Sequence, residues 1–249
     1  MGLLRLDAAL VKRGLAPSRQ RAKELVEDGV VRVDGLVASK VATQVRPEQQ
    51  VELAREDHGW VGRGALKLLG VLTPFGVDPT DLVCADLGAS TGGFTEVLLA
   101  RGARRVYAVD VGRGQLAWKL RTDPRVVVME GVNVRHLEGL PEPIDLVVGD
   151  LSFISLALVL PAVARLLRPG GRAVVLVKPQ FEAGRGGVGA GGRVRDPAVR
   201  SAAIGRVAEE ARAAGFAVEG GMDSPVAGAR AGNVEHFLSL RWDPALPPR

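Results

Sequence analysis

The chain has 249 residues, of which 47% are hydrophobic and 24% are charged, and its formal net charge is +5. This amount of apolar side chain can fill one or two buried cores, which excludes a disordered tail, a coiled coil and a collagen-like rod. A single cysteine, Cys84, excludes a disulfide framework and a multi-cysteine metal site. The mildly basic balance permits a polyanionic partner without requiring one.

Neither the start of the chain nor its longest apolar stretch carries a targeting or membrane signal. Residues 1–10 alternate charged and apolar side chains and lack the continuous apolar run of a signal peptide. The stretch 151–167 is too short to cross a bilayer and is interrupted by Pro161 and Arg165. We therefore expect a soluble, cytoplasmic protein that does not contact membranes.

Residues 1–57 predict a small α+β domain, because short helical and strand patterns follow one another there. The predicted elements are helices over 5–14 and 18–29, with Ser18 as N-cap, a strand–turn–strand unit over 30–40 around Asp34-Gly35, and a strand over 51–54.

Cations cluster around the two predicted helices of this segment. They are Lys12, Arg13, Arg19, Arg21 and Lys23. No aromatic side chain lies between them, so the pattern indicates contacts to phosphates rather than base stacking. The alternative interpretation is an ordinary solvated helix face.

From about residue 60 onward, apolar strands alternate with helices, which predicts an α/β domain with a buried, mostly parallel sheet covered on both faces. The predicted elements are strands over 82–89, 104–112, 125–131, 143–152 and 172–181, helices over 92–102, 156–171 and 196–215, and a final hairpin-like pair of strands within 216–225 and 233–242.

The first strand-to-helix turn, DLGASTGGF at 86–94, is a candidate ligand site. Ligands of open α/β sheets bind beyond the carboxyl ends of the strands, and Gly88, Gly92 and Gly93 let the backbone approach a ligand closely. The turn lacks the three-glycine spacing of dinucleotide-binding proteins. An acid at its start, Asp86, suits a cation or an amino group better than a pyrophosphate.

Asp110 ends the second predicted strand, where a carboxylate can accept hydrogen bonds from both ribose hydroxyls of an adenosine. Together with the first turn, this pattern predicts S-adenosylmethionine rather than a nicotinamide or flavin cofactor. The alternative is that the glycines only shape turns and Asp110 only caps a helix. Asn133, after the third strand, is a weaker candidate for the adenine edge, since loop asparagines are often turn formers.

Four charged residues are candidates for the reacting centre: Asp150 and Lys178 end the fourth and fifth strands, Glu235 starts the last strand, and Lys67 lies in the helix before the first strand. Methyl transfer to a hydroxyl needs a base. We expect a second lysine and a sulfonium to lower the pKa of Lys178, so that its neutral amine takes the proton. A lone lysine is otherwise a solvated side chain.

Five segments resemble motifs of the TlyA family: WVGRGALKL, DLGASTGGFT, GDLSFIS, KPQFEAGRGGVGAGGRVRDP and GNVEHFL. The segment RLDAALVKRGLAPSRQRAKELVEDGVVRVDG resembles the αL RNA-binding module that pseudouridine synthases share with a small-subunit ribosomal protein. The resemblance extends to about Trp242, and KPQFE is its most specific part. Two departures are Gly62, where the family commonly has serine, and residues 58–61, where some members have Arg-Ala-Trp-Val.

The resemblance implies 2′-O-methylation of a cytidine of 16S or 23S ribosomal RNA, or of both, with S-adenosylmethionine as cofactor and rRNA or a ribosomal subunit as partner. It implies an RNA-binding domain over 1–57, a linker over 58–63, and a Rossmann-like FtsJ-type domain with a seven-stranded sheet over 64–249. Lys67, Asp150, Lys178 and Glu235 match the family's Lys-Asp-Lys-Glu catalytic tetrad. We expect a monomer without a metal site.

The residues expected to contact the cofactor are Asp86, Gly88, Ala89, Ser90, Gly92, Gly93, Phe94, Asp110, Val111, Asn133 and Asp150. Those expected to contact RNA are Arg5, Lys12, Arg13, Arg19, Arg21, Lys23, Arg63, Arg185, Arg193 and Arg195. The last three lie in the glycine-rich segment 184–195, whose alternative interpretation is a flexible solvated loop. Two other functions stay open: a non-enzymatic RNA-binding or ribosome assembly factor, and the hemolysin activity for which some family members are named.

Overall fold

A computed structural model describes residues 2–27, 29–54, 58–184, 186–228 and 232–245. The chain forms two compact units, Met1–Arg63 and Gly64–Arg249. Arg185, which the sequence predicts to contact RNA, lies outside the described residues, as do residues 55–57 at the end of the predicted first domain.

The described residues of the first unit form two helices and five short strands. In chain order these are β1 (Leu4–Arg5), α1 (Leu6–Lys12), α2 (Arg19–Glu27), β2 (Val31–Val33), β3 (Leu36–Val37), β4 (Gln44–Val45) and β5 (Val51–Leu53). Leu6, Leu10 and Leu25 are almost completely buried where the two helices pack. The predicted N-cap is confirmed, because Ser18 Oγ accepts a hydrogen bond from the Arg21 amide at 3.1 Å.

Strand β2 lies between β3 and β5 in an antiparallel three-stranded sheet. The predicted turn between β2 and β3 is confirmed by the positive φ angles of Asp34 (51°) and Gly35 (80°). A second sheet, formed by β1 and β4, was not predicted. Each of its strands has only two residues, which is too short for an alternation of apolar and polar side chains to be visible.

The second unit contains the larger sheet and the helices that cover it. In chain order its elements are α3 (Gly64–Leu72), β6 (Val83–Leu87), α4 (Gly93–Ala100), β7 (Arg105–Asp110), α5 (Trp118–Arg121), β8 (Val126–Glu130), β9 (Ile144–Gly149), α6 (Leu160–Leu166), β10 (Leu167–Val177), α7 (Pro179–Glu182), α8 (Pro197–Ala213), β11 (Phe216–Asp223) and β12 (His236–Trp242).

The seven strands of this sheet lie in the order β11-β12-β10-β9-β6-β7-β8. Strands β6 to β10 are parallel to one another, and β12 is antiparallel to both β10 and β11. The strand order therefore reverses at β6, which pairs with β7 on one side and with β9 on the other. A crevice is expected outside the carboxyl ends of β6 and β9, because helices leave the sheet in opposite directions there.

The predicted boundaries are wrong around the fifth strand. The predicted helix over 156–171 contains a 3₁₀ turn at Leu156–Leu158, followed by α6, which ends at Leu166. Strand β10 begins at once, because buried Leu167 pairs with Ile144 while residues 168–170 bulge into solvent. It ends at Val177, and the predicted strand residues 179–181 belong to α7, whose first residue is a proline.

The core of the second unit forms between the sheet and its helices. All five residues of β6 are buried, as are Val147, Val175 and Leu238 on neighbouring strands. Among the described residues, no helix combines the length and the apolar character that a membrane crossing requires.

Candidate active site

Four charged side chains meet at the carboxyl edge of the large sheet. Asp150 directly follows β9, Lys178 directly follows β10, and Glu235 directly precedes β12. Because β12 runs antiparallel to β10, His236 pairs with Val177, so Glu235 lies beside Lys178 at the same edge. Lys67 reaches this edge from α3. The structure thus brings together all four residues that the sequence predicts to share a site.

The four side chains form a chain of alternating charge. Lys67 Nζ lies 2.7 Å from Glu235 Oε2 and 3.1 Å from Asp150 Oδ2. Lys178 Nζ lies 2.6 Å from Asp150 Oδ1. Asp150 therefore bridges the two ammonium groups, and each carboxylate has a cation beside it. The two positive and two negative charges balance, which makes the burial of this cluster tolerable.

Burial and ion pairing act in opposite directions on these groups. Burial disfavours the charged form of Lys67, but the Asp150 and Glu235 carboxylates outweigh it and raise the pKa of Lys67 above its ordinary value. Burial likewise disfavours the Asp150 carboxylate, but the Lys67 and Lys178 ammonium groups keep its pKa below the ordinary value. Both groups are therefore charged at neutral pH, which fixes the geometry around Lys178.

Two further polar residues support the cluster and were not predicted from the sequence. The Lys178 ammonium donates to Ser152 Oγ at 2.6 Å. Glu182 accepts hydrogen bonds from the Ser155 hydroxyl at 2.7 Å and from the Leu156 amide at 2.8 Å, which ties α7 to the loop after β9. Ser152 lies in the motif GDLSFIS, and Glu182 lies in the motif KPQFE. Membership of these motifs is the only sequence signal that could have indicated the two residues.

The turn after β6 approaches this cluster closely. Gly88 has a φ of +85°, and a Cβ atom there would lie 3.0 Å from the backbone oxygen of Asp150. A larger residue would therefore be strained both by its backbone conformation and by contact. The Asp150 amide in turn donates to the Leu87 carbonyl at 3.2 Å, so the first turn and Asp150 are built as one unit.

Asp110, at the end of β7, organises the opposite side of the crevice. Its Oδ2 accepts from the Ser90 amide at 2.8 Å and its Oδ1 accepts from the Gly112 amide at 2.6 Å. Each carboxylate oxygen has a second lone pair, which leaves acceptor capacity for hydroxyl groups of a ligand. Val111, next in the chain, exposes 72% of its surface and offers an apolar contact beside that carboxylate.

Asp86 is the most unusual titratable group near the crevice. Its Oδ2 accepts from the Thr95 amide at 2.9 Å and from the Thr95 hydroxyl at 2.7 Å. Its Oδ1 is buried and has no hydrogen-bond partner among the described residues. Burial raises the pKa of Asp86 to about 7, although the contacts to Thr95 oppose the shift. A buried acid with an unpartnered oxygen suits a cationic ligand, so these residues fit the amino acid moiety and sulfonium of S-adenosylmethionine.

Comparison with known proteins assigns the architecture to a family. Residues 60–242 match the family described as "FtsJ-like methyltransferase", and residues 4–51 match the family described as "S4 domain". The chain is 52% identical over 240 residues to the 16S/23S rRNA (cytidine-2'-O)-methyltransferase TlyA of Mycobacterium tuberculosis, a match that covers 95% of this chain and 89% of the relative. The chain belongs to the TlyA family of FtsJ-like methyltransferases.

Two other proteins are similar to most of the chain. The 23S rRNA (cytidine-2'-O)-methyltransferase TlyA of Campylobacter jejuni is 33% identical, with 73% of this chain and 77% of the relative covered. A solved structure from Streptococcus thermophilus, described as a hemolysin, has a TM-score of 0.77 and 41% identity and covers 99% of this chain and 90% of its own. The prediction of a Rossmann-like methyltransferase fold with a seven-stranded, mostly parallel sheet and an N-terminal S4 domain is confirmed.

Two residues expected to contact the cofactor have other contacts in this TlyA-family chain. Phe94 is only 3% exposed, and its ring stacks on Phe237 with centroids 6.1 Å apart, so it belongs to the core and not to the crevice wall. Asn133 Oδ1 accepts from the Arg135 amide at 3.0 Å, which is the turn-forming role that the sequence left open. Its contact with an adenine stays a prediction.

The buried acid predicts a specific pH dependence of stability. Folded Asp86 keeps its proton up to a pH of about 7, whereas the unfolded chain loses it near 3.8. Between these values the folded state binds the extra proton, so the contribution of this group to stability falls as the pH rises. We expect Asp86→Asn to raise the melting temperature relative to the wild type at about pH 8 more than at about pH 5. Equal differences at both pH values, measured by thermal unfolding without cofactor, would contradict the raised pKa.

Three arginines of the S4 domain have contacts within the domain. Arg5 and Arg19 both contact Asp7, at 3.2 and 2.8 Å, and these arginines lower the pKa of Asp7 to about 2 against the opposing effect of its burial. Both guanidinium groups remain largely exposed and can still face a phosphate. Arg13 donates to three backbone carbonyls between residues 46 and 49, so its guanidinium braces the domain.

Arg21 is predicted to contact RNA, but its contacts in the structure lie inside the first unit. It is 8% exposed, forms an ion pair with Glu24 at 3.0 Å and donates to the Trp60 carbonyl. An arginine that is buried and bonded in this way stabilises the domain and offers no surface to a phosphate. The sequence could not show this, because Arg21 lies on the inward face of α2 next to cations that face solvent.

The remaining predicted RNA contacts lie on several parts of the surface. Lys12 and Lys23 are exposed on the helices of the S4 domain, and Arg63 is partly buried. Arg193 and Arg195 are exposed in the segment before α8, and neither forms an ion pair with any described residue. Their role in binding RNA stays a prediction.

Proposed function

We propose that this chain transfers a methyl group from S-adenosylmethionine to the ribose 2′-hydroxyl of a cytidine in ribosomal RNA. The observation that carries the proposal is the alternating cluster of Lys67, Asp150, Lys178 and Glu235 beside a glycine turn that fits a cationic nucleoside. Membership of the TlyA family supports it, since the M. tuberculosis and C. jejuni relatives are named as methyltransferases of this kind.

In this proposal, the turn after β6 and the end of β7 hold the cofactor. Asp110 would accept hydrogen bonds from the ribose hydroxyls of its adenosine, and Val111 and Asn133 would contact the adenine. The positive charge of the bound cofactor would favour the ionised form of Asp86, whose carboxylate would then offset that charge. The backbone around Gly88, Ala89 and Ser90, with Gly92 and Gly93, would line its amino acid part. When bound, S-adenosylmethionine supplies an electrophilic methyl carbon on a sulfonium sulfur.

The side chains of the cluster would prepare the acceptor hydroxyl. Two of the directions around Lys178 Nζ are taken by Asp150 and Ser152, which leaves one direction for a ribose hydroxyl. The cofactor's sulfonium would disfavour the Lys178 ammonium, which would release one proton to solvent. The neutral amine would then accept the hydroxyl proton while the oxygen bonds to the methyl carbon, and the methyl–sulfur bond would break with its electron pair left on a neutral sulfur. Asp150 would orient that amine, and Lys67 with Glu235 would hold Asp150 in place.

The S4 domain would supply phosphate contacts from Arg5, Arg19, Lys12 and Lys23. We propose domain limits of 1–57 and 64–249 with a linker over 58–63. The boundary between the two compact units, after Arg63, supports the start of the second domain, and the S4 match over 4–51 lies within the first. We also propose that the enzyme is cytoplasmic, because ribosomal RNA is found there, and that it acts as a monomer without a metal ion.

The cofactor assignment predicts a selective loss in an Asp110→Ala variant. Loss of a carboxylate that accepts charge-assisted hydrogen bonds is expected to weaken S-adenosylmethionine binding about ten- to a hundredfold. Binding of ribosomal RNA is expected to stay unchanged. Isothermal titration calorimetry measures the first quantity and filter binding the second. Asp123→Ala is the matched control, because Asp123 precedes a neighbouring strand and pairs with exposed Arg125. Equal cofactor affinity in both variants would overturn the assignment.

The function itself is tested by incubating the purified protein with tritiated S-adenosylmethionine and either ribosomal subunits or free rRNA. The proposal predicts that tritium is incorporated into 16S rRNA, 23S rRNA or both. Mapping of the labelled position is then expected to find it on the ribose of a cytidine. A non-enzymatic assembly factor would bind rRNA without incorporation and without binding the cofactor. Dye release from liposomes by the same protein would instead support a hemolysin.

A further inference from the structure

A second polar cleft lies beside the tetrad, between the segment that precedes α8 and the segment that precedes β12. It has a volume of about 580 Å³. Its polar walls are formed by Arg193, Arg195, Asp196, Arg200, Asp223 and Asn233. One wall leads directly into the catalytic cluster, because Asn233 and Val234 immediately precede Glu235.

The cleft carries an excess of positive charge. Asp223 pairs with Arg200 and with His236, and these neighbours keep the pKa of Asp223 below its ordinary value against the opposing effect of burial. Asp196 accepts from the Ala198 amide at 2.8 Å and so caps α8. Asp196 keeps its negative charge, so the three arginines of the lining exceed its two aspartates by one positive charge. Arg193 and Arg195 have no ion-pair partner in the described part of the chain. Two guanidinium groups without an ion-pair partner, in a cleft with excess positive charge, suit an anion.

Asn233 builds the cleft. It is 4% exposed, and its side chain spans the gap between the two segments. Its Nδ2 donates to the Gly192 carbonyl at 2.9 Å, and its Oδ1 accepts from the Val194 amide at 3.0 Å. These two bonds lie on either side of Arg193, so they fix the backbone that carries both arginines. The same residue is two positions from Glu235, which couples the arginines to the tetrad.

We propose that this cleft binds a backbone phosphate of the substrate RNA next to the methylated nucleotide, with Arg193 and Arg195 as the contacting groups and Asn233 as the positioning residue. This inference rests on the proposed function, and it assigns a specific phosphate site to that function. The cleft then sets the register of the strand, because a phosphate held there limits which ribose can reach Lys178.

The test compares Arg193→Ala, Arg195→Ala and the double variant with the wild type. We expect the KM for rRNA to rise about tenfold in the double variant while kcat at saturating RNA and the affinity for S-adenosylmethionine stay unchanged. The slope of log affinity against log salt, measured between about 50 and 200 mM, is expected to fall by about 0.7 for each lost phosphate contact. Arg212→Ala is the matched control, since this arginine lies near the other end of α8, about 22 Å along the helix, and pairs with Glu209.

Asn233→Ala distinguishes a built site from two solvated arginines. If Asn233 positions them, this variant alone raises KM, and adding Arg193→Ala and Arg195→Ala to it raises KM little further. Independent, additive effects would overturn the positioning role of Asn233.

Failure of this inference and failure of the proposed function give different results. A wild type that methylates rRNA, combined with an unchanged KM and salt slope in the double variant, overturns the cleft and leaves the function standing. A wild type that transfers no methyl group, combined with weaker and less salt-dependent RNA binding in the double variant, overturns the function and supports the cleft. If the double variant loses no more RNA affinity than Arg212→Ala does, the proposed phosphate site is overturned in either case.

Discussion

Replacement of Lys178 by alanine is expected to lower kcat for methyl transfer about a thousandfold or more, because the variant lacks the group that takes the hydroxyl proton. Cofactor affinity is expected to change little, since the crevice residues around Gly88 and Asp110 remain. Single-turnover methylation of rRNA measures the first effect, and calorimetry with S-adenosylmethionine measures the second.

Lys178→Arg separates a base from a fixed positive charge. Arginine keeps the charge beside Asp150 but does not lose its proton in proteins. We therefore expect this variant to fold and to bind cofactor while staying as inactive as Lys178→Ala. Normal turnover in Lys178→Ala would remove Lys178 from the mechanism, and normal turnover in Lys178→Arg would show that it acts only as a charge.

Asp150→Asn is expected to impair both stability and activity, because Asp150 is the shared anion between two largely buried ammonium groups. Removal of one partner from such a cluster leaves charge uncompensated, and we expect a loss of about 3 kcal/mol of unfolding free energy at neutral pH. Urea unfolding followed by circular dichroism measures this quantity. Asp123→Asn is the matched control, since an exposed pair is worth less than about 1 kcal/mol.

The same variant has a predictable dependence on pH. Since the pKa of Asp150 is lowered in the folded state, its stabilising contribution is present above the ordinary aspartate pKa and is lost as the pH falls through the folded value. The difference between wild type and Asp150→Asn is therefore expected to shrink in acid. A difference that stays constant from neutral to acidic pH would contradict the charge balance described for the cluster.

The sequence predicted the site where elementary topology determines it. Asp150 and Lys178 could be paired in advance because the carboxyl ends of parallel strands share one edge of a sheet. Glu235 was a candidate because it lies at the start of the last predicted strand, and the family resemblance implied its place in the site. The antiparallel pairing of β12 with β10, which brings Glu235 to this edge, became visible only in the structure. The glycine turn and Asp110 followed from the same rule.

What could not be predicted depends on side-chain direction and on contacts between distant residues. No periodicity shows that Phe94 packs on Phe237 or that Arg21 faces inward to Glu24. The contact of Ser152 with Lys178 spans 26 positions and depends on how two loops fold back. The boundary error at Leu167 has a similar origin, since one buried leucine extends β10 across a proline and two glycines that normally end an element.

The position of the transferred methyl group decides whether Lys178 acts on a ribose hydroxyl. Ribosomal RNA incubated with the enzyme and S-adenosylmethionine carrying a deuterated methyl group can be digested to nucleosides and analysed by mass spectrometry. We expect the label on the ribose of cytidine, and we expect no label when the Lys178→Ala variant is used. A label on a base, or a ribose label that persists without Lys178, would contradict it.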